Sequence, residues 1–432
     1  MVLHDFPVDG GVLSIGGCRA PDLAAAHGTP LLVIDEGRFR RNCRAYLESL
    51  RRAYPRSQPI YASKALCTLA TCRLAYDEGL HVDVASGGEI YTARRAGIPG
   101  RALHFHGNNK TEEELRLALA EGVGRIIVDN FYELELLDRL TREAGVQAAV
   151  LLRLTPGIEP HTHRAIQTGG IDSKFGFGLP DGAAQQAVRR ALEIPGIALR
   201  GFHCHIGSQI LDLEPFTLAA RTMVEFAAAV RRELDLNVDE LNLGGGLGIR
   251  YLPEDDPPPI PLFVDHLTDV LRVALAEFGL PEPLLYLEPG RSIVGDAGVT
   301  LYTVGAIKAI PGVRTYAAVD GGMFENPRPA LYGARYTAVV ADRAKDPPLH
   351  TLAVAGRCCE SGDVLIWEAA LPALSPGDLL AVFSTGAYTY SMASNYNRFP
   401  RPAVVLADGG RSRVVVERET YDDLVRKDRP LA

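Results

Sequence analysis

Short apolar runs rich in β-type residues recur along the first two thirds of the chain, and segments with helical periodicity separate them. The first four runs start at intervals of 22 residues, and four more follow at wider intervals. The eight runs are PIYA from Pro59, HVDV from His81, LHFH from Leu103, RIIVD from Arg125, AAVLLRL from Ala148, ALRGFHCHI from Ala198, ELNL from Glu240 and LLYLE from Leu284. This alternation is typical of parallel strands joined by helices.

The segment after the third run shows how clearly the helices are marked. Thr111 and Glu114 form a capping box, the next apolar residues (Leu115, Ala118 and Leu119) fall on one helical face, and Gly122 ends the pattern. Eight such strand–helix units match the usual length of a (β/α)₈ barrel. We therefore predict an α/β protein with a TIM-like barrel over residues 36–292.

The pattern changes after Ile293 to closely spaced strands separated by Gly- and Pro-containing turns. The last of them form a hairpin that turns at Asp408-Gly409-Gly410. Such spacing, with almost no helical period, predicts an all-β domain of barrel or sandwich type over residues 293–432. The opening segment, residues 1–35, contains GVLSIGG and is expected to join that sheet.

Composition narrows the class of protein. Hydrophobic residues make up 47% and charged residues 23%, and the net charge is −8 without a block of like charges, which disfavours disorder and a nucleic-acid partner. Seven cysteines, two of them adjacent, form no disulfide framework. The first residues lack a secretory signal pattern, and no apolar stretch is long enough to cross a bilayer. We expect a cytoplasmic protein that binds a small molecule.

The reactive residues follow the barrel strands at their carboxyl ends, where active sites of (β/α)₈ barrels lie. Lys64 comes directly after the first strand, in YASKA. A lysine in such a partly dry position has a lowered pKa and suits Schiff-base chemistry. The alternative for this residue alone is a solvated loop lysine.

Two loops after the last barrel strands lie at the same end of the predicted barrel as Lys64. Gly244-Gly245-Gly246 follows the seventh strand and would let backbone N–H groups approach a phosphate, although a tight turn also explains three glycines. The EPGR sequence, Glu288 to Arg291, follows the eighth strand. A buried glutamate there could keep a pyridine nitrogen protonated; a structural Glu–Arg pair is the alternative.

Three His-x-His pairs, at residues 104/106, 161/163 and 203/205, suggest a metal site as an alternative. Alternate residues of a strand face the same side and could ligate a metal ion. Because no Asp or Glu accompanies these pairs at comparable spacing, we expect no metal site. A histidine ring stacked on a flat cofactor explains His205 better.

Taken together, the motifs resemble the fold-type III pyridoxal-phosphate-dependent decarboxylases from about residue 30 to residue 405. HFHGNNK, HTHRAIQTG and SKFGFG favour the diaminopimelate branch over the ornithine and arginine branches. The motifs are YASKA, DVASGGE, HFHGNNK, HCHIGSQ, NLGGGLGI, EPGR, RPALYG, CESGD and GAYTYSMASNYN.

The resemblance implies pyridoxal 5′-phosphate as the cofactor. It implies Lys64 as the Schiff-base lysine, His205 stacked on the ring and Glu288 on the pyridine nitrogen. The remaining residues that it places around the cofactor and its phosphate are Asp83, Ser208, Gly244, Gly245, Gly246, Pro289, Gly290, Arg291 and Tyr388.

The resemblance also implies the reaction and the assembly. Meso-2,6-diaminopimelate would lose its α-carboxylate to give L-lysine and CO₂, the last step of lysine biosynthesis, with Cys359 as general acid. The residues implied in substrate binding are Arg291, Arg328, Tyr332, Glu360 and Tyr388. A homodimer is implied, in which Cys359 and Glu360 reach the partner's barrel. Cys359 is preferred to Cys358 because it immediately precedes ESGD.

Other functions remain open on the sequence alone. The same chemistry could act on ornithine, arginine or a carrier-linked glutamate; FENPRPALYG, which diverges slightly before Arg328, leaves the substrate more open than the reaction. A metal-dependent barrel hydrolase would use the His-x-His pairs. A non-catalytic pyridoxal-phosphate carrier is disfavoured by the long C-terminal domain with CESGD.

The Gly-rich loop at residues 156–180 is long enough to form a lid over the barrel mouth.

Overall fold

Eight parallel strands close into a barrel, as predicted. A computed structural model describes residues 5–158 and 173–431. Each strand pairs with the next along the chain, and the eighth pairs with the first. A two-residue strand, Phe177–Gly178, adds to the fifth. The barrel strands are Ser57–Ala62, His81–Val84, Leu103–Phe105, Arg125–Val128, Ala148–Thr155, Ile197–Cys204, Glu240–Asn242 and Leu284–Leu287.

Helices separate the barrel strands, and their ends follow local sequence signals. The capping box at Thr111 is present, with the side chain accepting from the Glu114 N–H, and Leu115 and Ala118 are buried. The helices before and between the strands are Glu36–Ala53, Leu69–Asp77, Gly87–Arg95, Glu112–Ala120, Phe131–Ala144, Ala183–Leu192, Glu214–Leu234 and Ile260–Glu277. None of the helices in the described ranges has both the length and the apolar character required to cross a bilayer.

The chain divides into two compact units, and the barrel belongs to the unit formed by residues 42–248 and 257–290. The other unit comprises residues 1–41, 249–256 and 291–432. Its sheet is mixed, with nine strands, and it contains the predicted hairpin. These strands are Leu31–Asp35, Gly298–Ile310, Arg314–Val319, Ala338–Val340, His350–Ala355, Val364–Leu371, Leu379–Phe383, Ala403–Asp408 and Arg411–Val416.

Strands dominate this second unit, but short helices interrupt them. Among the described residues, each helix that lies wholly within this unit has eight residues or fewer, which is why the sequence after Ile293 showed almost no helical period. The helices are Ala20–His27, Arg291–Val294, Arg328–Tyr332 and Tyr421–Val425.

The opening segment joins the large sheet through Leu31–Asp35, which pairs with Gly298–Ile310 and Ala403–Asp408. Its GVLSIGG stretch does not join that sheet, contrary to expectation. Val8–Asp9, Val12–Ile15 and Cys18–Arg19 form a three-stranded antiparallel sheet of their own. Glycine pairs with positive φ, at residues 10–11 and 16–17, turn the chain back after each short strand, so that the strands pair with one another. Leu13 and Ile15 nevertheless pack into a core of the second unit.

The histidine pair at 161/163 and most of the loop expected to form a lid lie outside the described residues.

Candidate active site

Lys64 lies at the carboxyl end of the first barrel strand, in the short turn Ser63–Ala65. Its Nζ is 3.7 Å from Oδ2 of Asp83, at the end of the second strand. The Lys64 side chain is 41% exposed, whereas that of Asp83 is 1% exposed. Neither Asp83 oxygen has a hydrogen-bond partner within the described residues. The amine is therefore accessible beside a buried carboxylate that can still accept hydrogen bonds.

Glu288 follows the eighth strand, and three side chains surround its buried carboxylate. Nε2 of His106 is 2.8 Å from Oε1, and Asn242 donates to the same oxygen at 2.7 Å. Nε2 of His203 is 3.2 Å from Oε2. These partners come from the carboxyl ends of the third, seventh and sixth strands.

The surroundings of Glu288 keep it ionised. Burial alone would raise the pKa of the Glu288 carboxyl, but His106 and His203 outweigh burial and hold that pKa well below its usual range. Burial lowers the pKa of His203 to about 3. The His203 ring is therefore neutral near pH 7 and can donate its Nε2–H to the carboxylate. The site thus holds a fixed negative charge at the centre of the barrel.

This cluster corrects one expectation from the sequence. The ligand atoms of His106, His203 and Glu288 lie within 4.8 Å of one another, so a carboxylate does accompany two of the His-x-His pairs. Spacing along the chain did not reveal it, because Glu288 is 85 residues from His203. The two histidines and the glutamate could together ligate a metal ion. The two histidines are equally suited to keeping the Glu288 carboxylate ionised.

The three glycines pack closely between the sixth and eighth strands. The Gly245 N–H donates to Nδ1 of His205 at 3.4 Å, and Gly244 donates to Oδ1 of Asn242 at 2.9 Å. A Cβ at Gly245 would lie 2.1 Å from the carbonyl oxygen of Glu288. There is therefore no space for a side chain at Gly245. A loop that binds a ligand through its backbone would also need glycine at this position.

The neighbouring loops surround His205. Burial, followed by the charges of Lys64 and Arg153, holds the pKa of His205 well below its usual range, so its ring is neutral. Ser208 follows three residues later in the same loop and is partly buried. Pro289 accepts a hydrogen bond from Ala62 N at 3.0 Å, which ties the EPGR loop to the end of the first strand.

A second polar cluster lies in the other unit. Arg291 and Arg328 are buried there, at 4% and 5% exposure. Both donate to the hydroxyl of Tyr251, at 2.5 and 3.1 Å, and Arg328 also donates to the Tyr336 hydroxyl at 2.6 Å. The Arg291 guanidinium lies 4.9 Å from the centre of the Tyr388 ring. Two cations are thus fixed side by side.

The other predicted residues of this unit are more exposed. Tyr332 ends the helix Arg328–Tyr332 and is partly buried. Cys359 and Glu360 are exposed, and Asn397 accepts a hydrogen bond from Cys359 N at 2.7 Å. Cys358 is only partly exposed; burial and then Asp363 raise the pKa of its thiol to about 12. Of the two adjacent thiols, Cys359 is the more accessible.

Sequence analysis missed several residues of these clusters. It treated His106 and His203 only as possible metal ligands, and it did not single out Asn242, Tyr251 or Tyr336. The signal for the histidines was present, since each stands at the end of a barrel strand. Nothing in the spacing connects Tyr251 with Arg328, because 77 residues separate them.

The donor set of the barrel fits pyridoxal phosphate. Lys64 supplies an accessible amine, and Asp83 an unsatisfied buried acceptor beside it. Glu288 supplies a fixed carboxylate that can pair with a protonated ring nitrogen. The glycine loop approaches the same site, since the Gly245 nitrogen lies 3.4 Å from Nδ1 of His205, and glycine-rich loops of this kind bind phosphate.

Comparisons with known proteins agree with this chemistry. Residues 37–295 match the family model described as the pyridoxal-binding domain of pyridoxal-dependent decarboxylases. The chain is 50% identical to the diaminopimelate decarboxylase of Bacillus subtilis (strain 168), covering 97% of this chain and 96% of that one. It is 45% identical to the enzyme of the same name from Synechocystis sp., covering 97% and 90%.

Solved structures give the same result. The diaminopimelate decarboxylase from M. jannaschii, in complex with L-lysine, aligns with a TM-score of 0.92 and 35% identity, covering 100% of this chain and 99% of that one. The lysine/ornithine decarboxylase from Vibrio vulnificus, in complex with putrescine, aligns with a TM-score of 0.75 and 25% identity, covering 89% and 96%.

Proposed function

The chain belongs to the diaminopimelate decarboxylase family of the pyridoxal-dependent decarboxylases, and we propose that the residues described above carry out that family's reaction. The enzyme decarboxylates meso-2,6-diaminopimelate to L-lysine and CO₂ and requires pyridoxal phosphate, which makes it the last enzyme of lysine biosynthesis. One observation supports the assignment of residues above all: an accessible lysine and a buried, ionised glutamate face the mouth of the same barrel.

In this proposal the barrel residues hold the cofactor. Lys64 is its covalent anchor, Asp83 lies beside the amine, and Glu288 pairs with the ring nitrogen. His205 would lie against the ring. The phosphate would be held by backbone groups of the loops that contain Gly245, Gly290 and Arg291, together with Ser208 and Tyr388. When bound, pyridoxal phosphate supplies an electron sink for the electron pair left by departing CO₂.

The carboxylate of Glu288 makes that sink effective. Because His106, Asn242 and His203 all place nitrogen atoms against it, the carboxylate stays charged in a dry site. A fixed anion at the ring nitrogen favours its protonated form. The histidines thus act through Glu288 and need not contact the reacting carbon.

Cys359 is the proposed donor of the proton that replaces the lost carboxylate. It is exposed and therefore accessible to a substrate. Cys358 is disfavoured because the pKa of its partly buried thiol is about 12, which makes it a weak acid. After protonation of the α-carbon, the Lys64 amine would take the place of the product amine on the cofactor and so release the product.

The distal end of the substrate carries a carboxylate and an ammonium group. We assign the carboxylate to Arg291 and Arg328, with Tyr332 beside them, because guanidinium groups bind carboxylates through paired N–H donors. We assign the ammonium to Glu360, which is exposed, and place Tyr388 near both groups.

We also propose a homodimer in the cytoplasm. Cys359 and Glu360 of one protomer would complete the barrel site of the other, so each active site needs two chains. All seven cysteines are free in the structure, which suits a reducing compartment.

The first experiment is spectroscopic. Purified protein is mixed with pyridoxal phosphate, and its absorbance is recorded before and after borohydride reduction. Meso-diaminopimelate is then added to unreduced enzyme, and CO₂ is measured. We expect a visible band that becomes fixed to the protein on reduction, and release of CO₂.

Two lysine variants make this test specific. Lys64→Ala should lose the band and covalent labelling, because its amine is the anchor. Lys308→Ala, which removes an exposed lysine, should keep both. Covalent labelling of Lys64→Ala to the wild-type extent would contradict the role of Lys64. A band without CO₂ would contradict the substrate assignment.

A further inference from the structure

Tyr251 occupies an unusual position between two buried cations. Its hydroxyl accepts hydrogen bonds from Nη1 of Arg291 at 2.5 Å and from Nη1 of Arg328 at 3.1 Å. Like charges this close repel each other in a buried site, and the repulsion is strong where water is excluded. A shared oxygen acceptor offsets that repulsion and keeps the two guanidinium groups together.

The Tyr251 ring also contacts both cations. The centre of the ring lies 5.7 Å from the Arg291 guanidinium carbon and 5.0 Å from that of Arg328, within the range of cation–π attraction. The ring packs edge-on against Tyr336, with centres 5.5 Å apart. Tyr251 is thus held in place by packing as well as by its hydroxyl.

The charges of this cluster act on the hydroxyl in return. Burial alone would raise the pKa of Tyr251, but Arg291 and Arg328 outweigh burial and lower it. The two guanidinium groups therefore favour the ionised form of the phenol, as expected for an oxygen that accepts hydrogen bonds from both.

The contacts of Arg328 with the two phenols define how its guanidinium group can bind a carboxylate. Arg328 uses Nη1 for both phenols, Tyr251 and Tyr336. Bidentate binding of a carboxylate uses two neighbouring nitrogens of the planar guanidinium, so the orientation of that plane decides which edge a ligand meets. Tyr251 sets this orientation together with Tyr336, and its hydroxyl links Arg328 to Arg291 through one atom.

We propose that Tyr251 is a positioning residue that makes the site selective for a diacid. It holds Arg291 and Arg328 at a fixed separation and orientation, so that they bind the second carboxylate of the substrate as one unit. This inference rests on the proposed function of the two arginines. Tyr251 acts through them and has no part in breaking the bond to CO₂.

The test compares Tyr251→Phe with Tyr302→Phe in the holoenzyme. The first substitution removes the bridging oxygen but keeps the ring against Tyr336. The second is the matched control, because Tyr302 is another buried tyrosine of the same unit. Its hydroxyl donates to Glu325 at 2.6 Å. Any general effect of losing a buried phenol oxygen should appear in both variants.

We expect KM for meso-diaminopimelate to rise at least about tenfold in Tyr251→Phe, since hydrogen bonds to charged groups contribute that much. We expect kcat to stay within about twofold, because binding and not chemistry is affected. The inhibition constant of pimelate, a diacid without amines, should rise by a similar factor. That of 1,5-diaminopentane, which carries two amines but no carboxylate, should not change.

Equal changes in the two variants would overturn the proposal, as would a fall in kcat at unchanged KM. Equal weakening of pimelate and 1,5-diaminopentane would overturn it too. If wild-type enzyme released no CO₂, the proposed function would fail first. Pimelate binding measured by calorimetry would then still decide whether Tyr251 organises a dicarboxylate site.

Discussion

At the scale of single residues, two buried glutamates show how surroundings decide charge. Glu288 is surrounded by two imidazoles and an amide, and its pKa is held well below the usual range. Glu325, in the other unit, accepts from the Tyr302 hydroxyl at 2.6 Å, but burial dominates and raises its pKa to about 8. The same side chain is thus ionised at one site and neutral at the other near pH 7.

Glu325 predicts a pH-dependent stability. Its carboxyl ionises near 4.5 in the unfolded chain and near 8 in the folded protein, so the folded state binds more protons between these values. Its contribution to stability is present in full below pH 4.5 and is lost as the pH rises to about 8. The loss is about 1.4 kcal/mol for each pH unit within that window.

The measurement is urea unfolding of wild type and Glu325→Gln at pH 6, 7 and 8. Glutamine imitates the neutral acid, so the variant should gain stability relative to wild type as the pH rises. Glu417→Gln, at an exposed position, is the control and should follow wild type. Parallel pH curves for wild type and Glu325→Gln would refute the prediction.

At the scale of elements, the loop after the seventh strand is where backbone geometry matters most. The sequence suggested either a phosphate loop or a tight turn, and the structure places Gly245 against the carbonyl of Glu288 with no space for a side chain. The same element therefore joins the glycine loop to the EPGR loop.

Gly245→Ala should weaken cofactor binding. The added methyl group would meet backbone at 2.1 Å, so the loop must move, and a shift of about an ångström in a binding element costs on the order of a hundredfold in activity. We expect affinity for pyridoxal phosphate, measured by absorbance titration, to fall at least about tenfold. The reference is Gly305→Ala, whose Cβ would meet only an ordinary contact at 3.7 Å. Equal affinities in the two variants would mean that this loop does not hold the cofactor.

At the scale of the whole molecule, the proposed machinery is divided between two compact units. Lys64 and Glu288 belong to the barrel unit, whereas Arg328 and Cys359 belong to the sheet-rich unit. A dimer with shared sites would join the barrel of one chain to the Cys359 segment of its partner.

This arrangement predicts complementation between inactive variants. Lys64→Ala and Cys359→Ala should each lose most activity, the second while retaining the cofactor. Mixing equal amounts under conditions that exchange subunits should restore about one quarter of wild-type activity, because half of the dimers are mixed and each mixed dimer has one intact site. Recovery of CO₂ release on mixing is the readout. If no activity returns although mixed dimers form, Lys64 and Cys359 act within one chain.

Much of this molecule was predictable because its regular elements depend on spacing along the chain. All eight barrel strands lie where the apolar runs predicted, and the capping box at Thr111 starts its helix. Lys64, Glu288 and His205 could be selected because parallel strands bring their carboxyl ends to one face. Within the opening segment, only the GVLSIGG stretch was placed in the wrong sheet, because the same alternating pattern suits any strand partner.

The sequence by itself therefore determined the order of strands and helices, the barrel and the residues at its mouth, since local periodicity and chain direction decide these. Only the tertiary structure decided which of those residues meet. It surrounds Glu288 with His106 and His203 and places the Tyr251 hydroxyl between Arg291 and Arg328. Such contacts join residues far apart in the chain, so they depend on strand register and side-chain packing, which no local pattern encodes.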